Sequence, residues 1–255
     1  MSPPLPQVPL LTIVVPVLDE AAGIADALAP LQALRAAGVE LIVVDGGSAD
    51  DTFASAKPLC DRVIVAPRGR GRQMHEGASV ANGDILLFLH ADTVLPKGAV
   101  EAIRRAVDGG AAWGRFDVAI AGSSPMLPVI ATMMNLRSRL TGIATGDQAI
   151  FVTREAYEAA GGFPDIPLME DIAFSRALRR CHHPACLRER VTTSGRRWEK
   201  HGVAATVLKM WVLACVIFWV PTRSNWRPTM AIARACPCAS PSSPRRPFRE
   251  SPRRV

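Results

Sequence analysis

A histidine and an aspartate that could bind a metal ion follow a short apolar run in this sequence. Residues 86–89 are apolar, and His90, Ala91 and Asp92 come directly after them. Such a run, bounded by turn residues, is typical of a buried strand in a parallel sheet. Ligands of open α/β sheets bind at the carboxyl ends of the strands, where a carboxylate can hold a divalent cation against the phosphates of a nucleotide. From the residues alone, Asp92 could equally cap the next turn.

A second pair of acids, Glu170 and Asp171, follows a proline-containing turn and opens a helix-type pattern. Acids in the first turn of a helix are favoured by its dipole, which is the more common reason for such a pair. A carboxylate held at a helix start beside a ligand cleft can also serve as a general base. The residues alone leave both interpretations open.

A third acid, Asp45, ends another apolar run and is followed by two glycines, the second of which is Gly47. Glycines let the backbone approach a ligand closely, and the acid can accept hydrogen bonds from a base or a ribose. The alternative is that Ser48, Asp50 or Asp51 caps the following helix, and both roles can hold together.

Basic residues that suit a diphosphate lie in residues 67–74, where three arginines alternate with glycines ahead of a helix-type pattern. Their charge and the free amides of a helix start would both favour a phosphate group, although a solvated basic loop would have the same composition. Arg197 and Trp198 end a later strand-type pattern. They could close over phosphates or stack on the surface.

Alternating strand and helix patterns would position these residues. Apolar runs predict strands over residues 11–17, 40–45, 62–66, 86–89, 113–120 and 150–152, and helical spacing predicts helices over 21–36, 97–107 and 125–140. This alternation predicts an α/β protein with a mostly parallel sheet flanked by helices on both faces. The helix over 125–140 is rich in methionine and suits a core or the lining of an acceptor pocket.

The net charge of +7 is confined to the end of the chain. Residues 1–220 contain 22 Lys and Arg and 22 Asp and Glu, whereas residues 221–255 contain eight Arg and one Glu. The body of the protein therefore has no overall attraction for polyanions, which argues against a DNA- or RNA-binding function.

The six cysteines form no disulfide framework that their spacing reveals, and residues 1–9 lack the features of a signal peptide. We therefore expect reduced thiols in a cytoplasmic protein. Cys181 and Cys186 flank two histidines, but no second Cys/His pair at a zinc-finger spacing accompanies them. A turn before a strand is the preferred interpretation of this segment.

The composition divides the chain into an N-terminal extension over 1–9, one domain over 10–202 and two further segments. Residues 203–220 contain one charged residue, Lys209, and the eighteen-residue length of this largely apolar segment is near the lower limit for a membrane span. A helix packed on the domain, or one lying on the inner face of the cell membrane, is an equal alternative. Residues 221–255 contain seven Pro, five Ser and eight Arg, which predicts a disordered basic tail.

Eight short motifs follow one another along the domain. They are VPVLDE at 15–20, DGGSAD at 45–50, GRQM at 71–74, LLFLHAD at 86–92, GRF at 114–116, GDQ at 146–148, GGFP at 161–164 and ED at 170–171. In this order the chain resembles the inverting family 2 glycosyltransferases of the GT-A fold. Within that family it looks most like a small bacterial subgroup associated with radical-SAM/selenium-domain gene clusters. The motifs are individually weak, but their joint order is strong.

The resemblance implies a nucleotide-diphosphate sugar donor lying over the first half of the sheet. Pro16, Glu20 and Asp45 would contact the nucleoside, and Arg72 would contact the diphosphate. The other donor-binding positions that it indicates are Gly47, Ser48, Ala91, Asp147, Gln148, Arg197 and Trp198.

The resemblance also implies a division of labour between acids. Asp92 would bind Mg²⁺ or Mn²⁺, and Asp171, with Glu170, would act as the general base that deprotonates an acceptor hydroxyl. Many family members have a second aspartate where this chain has His90. A neutral imidazole suits Mn²⁺ better than Mg²⁺, or His90 does not bind the metal at all.

Two other functions are compatible with the sequence. Residues 69–74 resemble the Gly-x-Gly-x-Arg-Met loop of nucleotidyltransferases, although that loop follows the first strand in those enzymes and the third strand here. A non-catalytic nucleotide-sugar binder is the other alternative, suggested by His90 and the unusual C-terminal sequence. The acceptor is a small molecule or a lipid that the sequence does not identify, and residues 203–220 could make peripheral membrane contact.

Overall fold

The structure is a computed structural model that describes residues 10–196 of the chain. The strands of this part are β1 Leu11–Val17, β2 Glu40–Asp45, β3 Arg62–Val65, β4 Ile85–Phe88, β5 Thr93–Val94, β6 Trp113–Ala121, β7 Ile150–Thr153 and β8 Ala185–Ser194. The α-helices are α1 Ile24–Leu28, α2 Gln32–Ala36, α3 Thr52–Ala56, α4 Arg70–Val80, α5 Ala99–Asp108, α6 Leu127–Thr141, α7 Arg154–Ala159 and α8 Glu170–Arg179.

These strands form one mixed sheet in the order β3-β2-β1-β4-β7-β6-β8-β5. The first four strands of this order are parallel to one another. Strand β7 is antiparallel to both of its neighbours, β4 and β6. Strand β8 is parallel to β6, and the short edge strand β5 is antiparallel to β8. The predicted α/β class is confirmed.

The apolar runs are explained by burial on both faces of the sheet. In β1, Leu11, Ile13 and Val15 lie in one hydrophobic cluster, and Val14 lies in the cluster on the opposite face. A strand that is covered on both faces needs apolar residues at every position rather than at alternate positions. Helices on both sides of the sheet supply the cover, as the sequence predicted.

The helix predicted over residues 21–36 is interrupted. The structure has α1, a 3₁₀ turn over Ala29–Leu31, and α2 in its place. Pro30 occupies the turn, and its ring removes the backbone N–H that a continuous helix would need there. The apolar spacing predicted the buried side of this segment correctly, because Ile24, Leu28 and Leu31 are all buried.

The segment between Cys181 and Cys186 is a turn that leads into β8, as predicted. Cys60 and Cys186 are free thiols, whereas Cys181 is disulfide-bonded, so the expectation of reduced cysteines is wrong at this position. A disulfide requires two Cα atoms about 4.4–6.8 Å apart, and spacing along the chain does not reveal which cysteines meet that condition.

Several predicted features fall outside the described residues. They are residues 1–9, Arg197, Trp198, the apolar segment 203–220 and the tail 221–255. Among the helices within residues 10–196, none has the length and the apolar composition that crossing a membrane would require.

Helix α4 crosses β1 and β2 so closely that Gly77 has no room for a side chain. A Cβ atom there would lie 2.4 Å from Val14 Cγ1 and 2.8 Å from Val44 Cγ2. Both valines are fully buried, so neither can move aside without disturbing the core. This contact fixes the distance between α4 and the parallel half of the sheet.

Gly77→Ala should therefore lower the free energy of unfolding by about 1–3 kcal/mol, as expected for overpacking of a core. This loss should appear even though alanine is the better helix former. Urea denaturation checks it, with Glu76→Ala, an exposed position on the same helix, as the control. A free energy of unfolding equal to or above that of the wild type would contradict the close packing of α4.

Candidate active site

Asp45 organises the loop that follows β2. Its side chain is buried, and Oδ1 accepts hydrogen bonds from the N–H groups of Gly47 and Ser48 at 2.9 and 2.8 Å and from the Ser48 hydroxyl at 2.8 Å. Ser48 Oγ in turn accepts the N–H of Asp19 at 2.9 Å, in the loop after β1. The two loops are therefore held together at the carboxyl ends of the parallel strands β1 and β2.

Gln73 fixes the same strand ends from the side of α4. Its Nε2 donates hydrogen bonds to the carbonyl oxygens of Val17, at 2.7 Å, and Val44, at 2.9 Å. A Cβ atom on Gly46 would lie 3.0 Å from this amide, so the first glycine after Asp45 makes room for Gln73. The GRQM motif was recognised in the sequence, but this role of its glutamine was not.

Two residues predicted to contact a nucleoside lie at the end of β1. Pro16 is half-buried within the strand, and Glu20 is exposed in the loop that follows. The N–H of Glu20 donates a hydrogen bond to Thr52 Oγ1 at 2.8 Å, at the start of α3. This bond is a further tie between the first two loops.

The arginines at the start of α4 pair with acids at the start of α8 and in the loop before it. Arg72 Nη2 lies 2.7 Å from Asp165 Oδ2, and this contact raises the pKa of the exposed Arg72 and lowers the pKa of Asp165. Arg70 Nη1 lies 3.6 Å from Glu170 Oε1. Arg72, which was predicted to bind the diphosphate, therefore has an acidic partner in the protein. Arg70 faces the acidic pair of α8.

Gly146 connects the end of β4 with the start of α8. It packs so closely on His90 that a Cβ atom would lie 2.4 Å from the imidazole Nε2. Its N–H donates a hydrogen bond of 2.6 Å to Asp171 Oδ2. The next residue, Asp147, is partly exposed, and its Oδ1 lies 3.4 Å from His90 Nδ1. Three predicted site residues from three separate elements therefore meet at this one turn.

Asp92 lies two residues beyond His90, in the turn between β4 and β5. It is exposed, and Ala91 before it is half-buried. The turn is closed by a hydrogen bond of 3.0 Å from Thr93 N–H to His90 O and is tied to β8 by one of 3.1 Å from Ser194 N–H to Asp92 O. Asp92 and Asp171 are thus connected through His90 and Gly146.

The two acids of α8 differ sharply in environment. Glu170 is 3% exposed, and burial is the main cause that raises its pKa, followed by the charge of Asp171. Its Oε1 has no hydrogen-bond partner among the described residues, because Arg70 is close enough for an ion pair but not for a hydrogen bond. Asp171 is partly exposed, and each of its oxygens accepts one backbone N–H, from Gly146 and from Ile172.

The model of the family described as glycosyl transferase family 2 matches residues 12–157, which is more than half of the chain. The chain belongs to glycosyl transferase family 2. The matched region includes β1 to β7 and therefore the loops that carry Asp45, His90, Asp92 and Gly146.

Relatives with curated names share part of this family 2 region. The PGL/p-HBAD biosynthesis glycosyltransferases of Mycobacterium bovis and Mycobacterium tuberculosis are 34% identical over 94 residues, which cover 34% of this chain. The match spans 37% of the length of these relatives.

Solved structures of glycosyltransferases share the fold. A mannosyltransferase from Pyrobaculum calidifontis, in complex with GDP-Man and Mn²⁺, has a TM-score of 0.56 at 21% identity, covering 73% of this chain and 57% of its own. Glucosyl-3-phosphoglycerate synthase from Mycobacterium tuberculosis, with Mn²⁺, UDP and glucosyl-3-phosphoglycerate, has a TM-score of 0.54 at 20% identity, covering 72% of this chain and 71% of its own. The GT-A fold predicted from the sequence is confirmed.

Gln148 of this family 2 chain has hydrogen bonds that serve the structure of the protein. It is fully buried, its Oε1 accepts the N–H of Thr145 at 3.2 Å, and its Nε2 lies 3.4 Å from Asn135 Oδ1. Asn135 in turn exchanges two hydrogen bonds with the backbone of Val118 in β6. Gln148 therefore ties the Gly146 turn to α6 and β6, and its predicted contact with a donor stays a prediction.

Arg137 is a cation whose charge acts on Asp171, and no sequence motif marks it. Burial lowers its pKa most, the charge of Asp171 raises it, and the charge of Arg115 lowers it further. Its Nε and Nη2 atoms are buried without a hydrogen-bond partner among the described residues. A sequence signal for Arg137 is lacking, because only the packing of α6 brings it near α8.

Few side chains in the described part of the chain are placed to bind a metal ion. Within residues 10–196, no group of three or more His, Cys, Asp or Glu side chains could hold a metal ion. Mg²⁺ in nucleotide sites is usually held by one or two carboxylates and completes its ligands with phosphate oxygens and water. One exposed carboxylate, Asp92, at the end of a central strand fits a cation of this kind.

The buried Glu170 makes the stability of the protein depend on pH. Because its pKa is raised in the folded protein, the folded state loses stability as the pH rises from the ordinary value of 4.5 through the raised value. Glu170→Gln should remove this loss. Relative to wild type, the free energy of unfolding of the variant should thus be higher at pH 7 than at pH 4, by about 1.4 kcal/mol for each tenfold change in the dissociation constant of Glu170.

Urea denaturation at the two pH values measures this difference. Glu158→Gln, an exposed position on α7, is the matched control and should show no comparable trend. A difference between Glu170→Gln and wild type that is the same at pH 4 and pH 7 would contradict a raised pKa of the buried Glu170.

Proposed function

We propose that this chain is an inverting glycosyltransferase that moves a sugar from a nucleotide-diphosphate sugar to an acceptor hydroxyl. The observation that carries the proposal is the double contact of Gly146, which packs on His90 next to the Asp92 turn and donates its N–H to Asp171. A carboxylate suited to a metal ion and a carboxylate suited to a general base are thereby joined at one edge of the sheet. Membership of glycosyl transferase family 2 supports the same reaction class.

The nucleoside of the donor is assigned to the loops after β1 and β2. Pro16, Glu20 and Asp45 would contact it, with Gly47 and Ser48 shaping the loop around it. The hydrogen bonds that Asp45 accepts from this loop support the assignment, because they hold the loop in one conformation before any ligand binds. Preorganisation of this kind reduces the entropic cost of binding.

The diphosphate is assigned to the start of α4, where Arg72 and the free amides of an eleven-residue helix favour anions. Arg72 forms an exposed ion pair with Asp165. Exposed ion pairs of this type contribute little to the stability of the folded protein. A diphosphate can therefore replace Asp165 as the partner of Arg72. Ala91, Asp147, Gln148, Arg197 and Trp198 stay predictions as donor contacts.

The residues fit a divalent cation, Mg²⁺ or Mn²⁺, which when bound would neutralise charge on the leaving diphosphate. Asp92 would supply the protein carboxylate. His90 is the second candidate ligand, but its Nδ1 faces Asp147 and its Nε2 is buried against Gly146. We therefore assign the main contact to Asp92.

Asp171 is assigned as the general base. It takes the proton of the acceptor hydroxyl while the hydroxyl oxygen forms a bond to the anomeric carbon. The bond from that carbon to the diphosphate breaks, the electron pair leaves with the nucleoside diphosphate, and the configuration inverts. The two backbone N–H groups that hold Asp171 leave each of its oxygens with a lone pair for the hydroxyl. Buried Glu170 would position Asp171 rather than contact the acceptor.

A small molecule or a lipid is proposed as the acceptor, and the names of the mycobacterial relatives refer to PGL and p-HBAD biosynthesis. The likeness to the radical-SAM/selenium-associated subgroup, the cytoplasmic location and a membrane contact of residues 203–220 stay predictions.

Asp171→Asn should reduce turnover by about 10²–10⁴-fold, because an amide cannot accept the proton, while donor binding stays nearly unchanged. Release of nucleoside diphosphate from a donor and acceptor pool measures turnover, and a thermal shift with the donor measures binding. Asp108→Asn, at the exposed end of α5, is the control. Wild-type turnover in Asp171→Asn would remove Asp171 from the role of base, and release of pyrophosphate would favour the nucleotidyltransferase alternative.

Asp92→Ala should weaken Mn²⁺-dependent donor binding by about tenfold or more, as is typical when support for a bound metal is lost. The measurement is a titration of donor binding with Mn²⁺ and with Mg²⁺, and Asp108→Ala serves as the control. A titration curve identical to that of the wild type would count against a metal site at Asp92. Donor binding without turnover on any acceptor would favour the non-catalytic alternative.

A further inference from the structure

Helix α6 is apolar on two opposite sides. The inner side packs on the sheet through Leu127, Ile130 and Met134, which are buried. The outer side has five large apolar residues that are between 47% and 76% exposed. We call these five residues the outer α6 face, and they are Met126, Val129, Met133, Leu136 and Leu140.

The spacing of the outer α6 face makes it a continuous surface. Its members follow one another at intervals of three and four residues, so they form one stripe along the helix. At a rise of about 1.5 Å per residue the stripe is about 21 Å long. Contiguous exposed apolar patches mark interaction sites.

The described part of the chain ends beside this helix. The N–H of Gly195 donates a hydrogen bond of 2.7 Å to Ala121 O, just before α6. A Cβ atom on Gly195 would lie 3.0 Å from Leu127 Cδ1, in the first turn of α6. Residue 196 therefore lies near the N-terminal end of α6, and the rest of the chain starts from there.

The sequence that follows matches this face in composition and in length. Residues 203–220 carry a single charge, Lys209. Eighteen residues span about 27 Å as a helix, which is enough to cover the stripe. The six residues 197–202 reach up to about 20 Å when extended, so the apolar segment can lie against any part of α6.

We propose that residues 203–220 bind to the outer α6 face of the same molecule. A tether of six residues gives the segment a high effective concentration at this surface, which a second copy of the chain lacks. The arginines of α6 do not favour an anionic bilayer instead, because Arg137 is largely buried and Arg139 pairs with Asp117 at 2.7 Å. Surface-bound membrane helices typically present free cations beside their apolar face.

Amide hydrogen exchange of the full chain, followed by mass spectrometry, tests the proposal. In lipid-free monomer, peptides from 203–220 should exchange at least about tenfold more slowly than unfolded chain. Met133→Glu combined with Leu136→Glu should abolish that protection. Val65→Glu, which changes an equally exposed apolar residue on the edge strand β3, should leave the protection intact. Leu136→Ser, a milder change, should reduce protection measurably and keeps the test readable if the double variant unfolds.

Three results would overturn the proposal. The first is that residues 203–220 are not protected in the lipid-free monomer. Protection that appears only in dimers, detected by light scattering, counts as this result. The second is protection that appears only with phosphatidylglycerol vesicles, which would assign the segment to a membrane. The third is protection that survives both α6 variants, which would show that the segment binds to another surface.

Discussion

The absence of a side chain at Gly146 is the constraint on which the candidate site depends. The backbone of this residue lies against the His90 imidazole, at a distance that a Cβ atom could not share, and its N–H reaches Asp171. A larger residue would have to push the end of β4 away from the start of α8. The two acids that divide the proposed chemistry, Asp92 and Asp171, are far apart in the sequence, and this single turn brings their elements together.

The topology of the sheet explains why that turn is available. Strand β7 enters antiparallel between β4 and β6, so the residues just before β7 lie at the same edge as the residues just after β4. Gly146 and Asp147 precede β7, and His90 and Asp92 follow β4. The antiparallel strand therefore adds polar groups to an edge at which parallel strands already end. An entirely parallel sheet would have placed the start of β7 at the opposite edge.

The sequence predicted best what depends on local pattern. Strands buried on both faces, such as β1, have unbroken apolar runs, and their ends were predicted closely. The helix over 21–36 was predicted without its break at Pro30, although proline is a local signal that was there to be used. The mixed half of the sheet was harder to predict from the sequence. Only two of the ten residues of β8 are buried, so this strand lacks an unbroken apolar run. Its pairing with β6 depends on contacts that no local pattern records.

Site residues were predicted as chemical types, whereas their roles depend on burial. Glu170 and Asp171 are neighbours in sequence and equivalent by type, and only the structure distinguishes a sheltered acid from an accessible one. Partners were not predictable for the same reason: Asp165 for Arg72, and Arg70 for Glu170, come from separate elements. Arg137 lacks any motif, and its relation to Asp171 exists only because α6 packs on β6.

The environment of Glu170 bears on how two adjacent carboxylates can serve one reaction. Two neighbouring carboxylates repel each other when both are ionised, and the repulsion is strongest where water is excluded. Burial raises the pKa of Glu170 above its ordinary value, which disfavours the charged form of the sheltered acid and so reduces this repulsion. The accessible acid, Asp171, then has two backbone N–H groups and the nearby charge of Arg137 to compensate its own negative charge. The difference in burial between two adjacent residues thus separates an acid that shapes the site from an acid that can accept a proton from an acceptor hydroxyl.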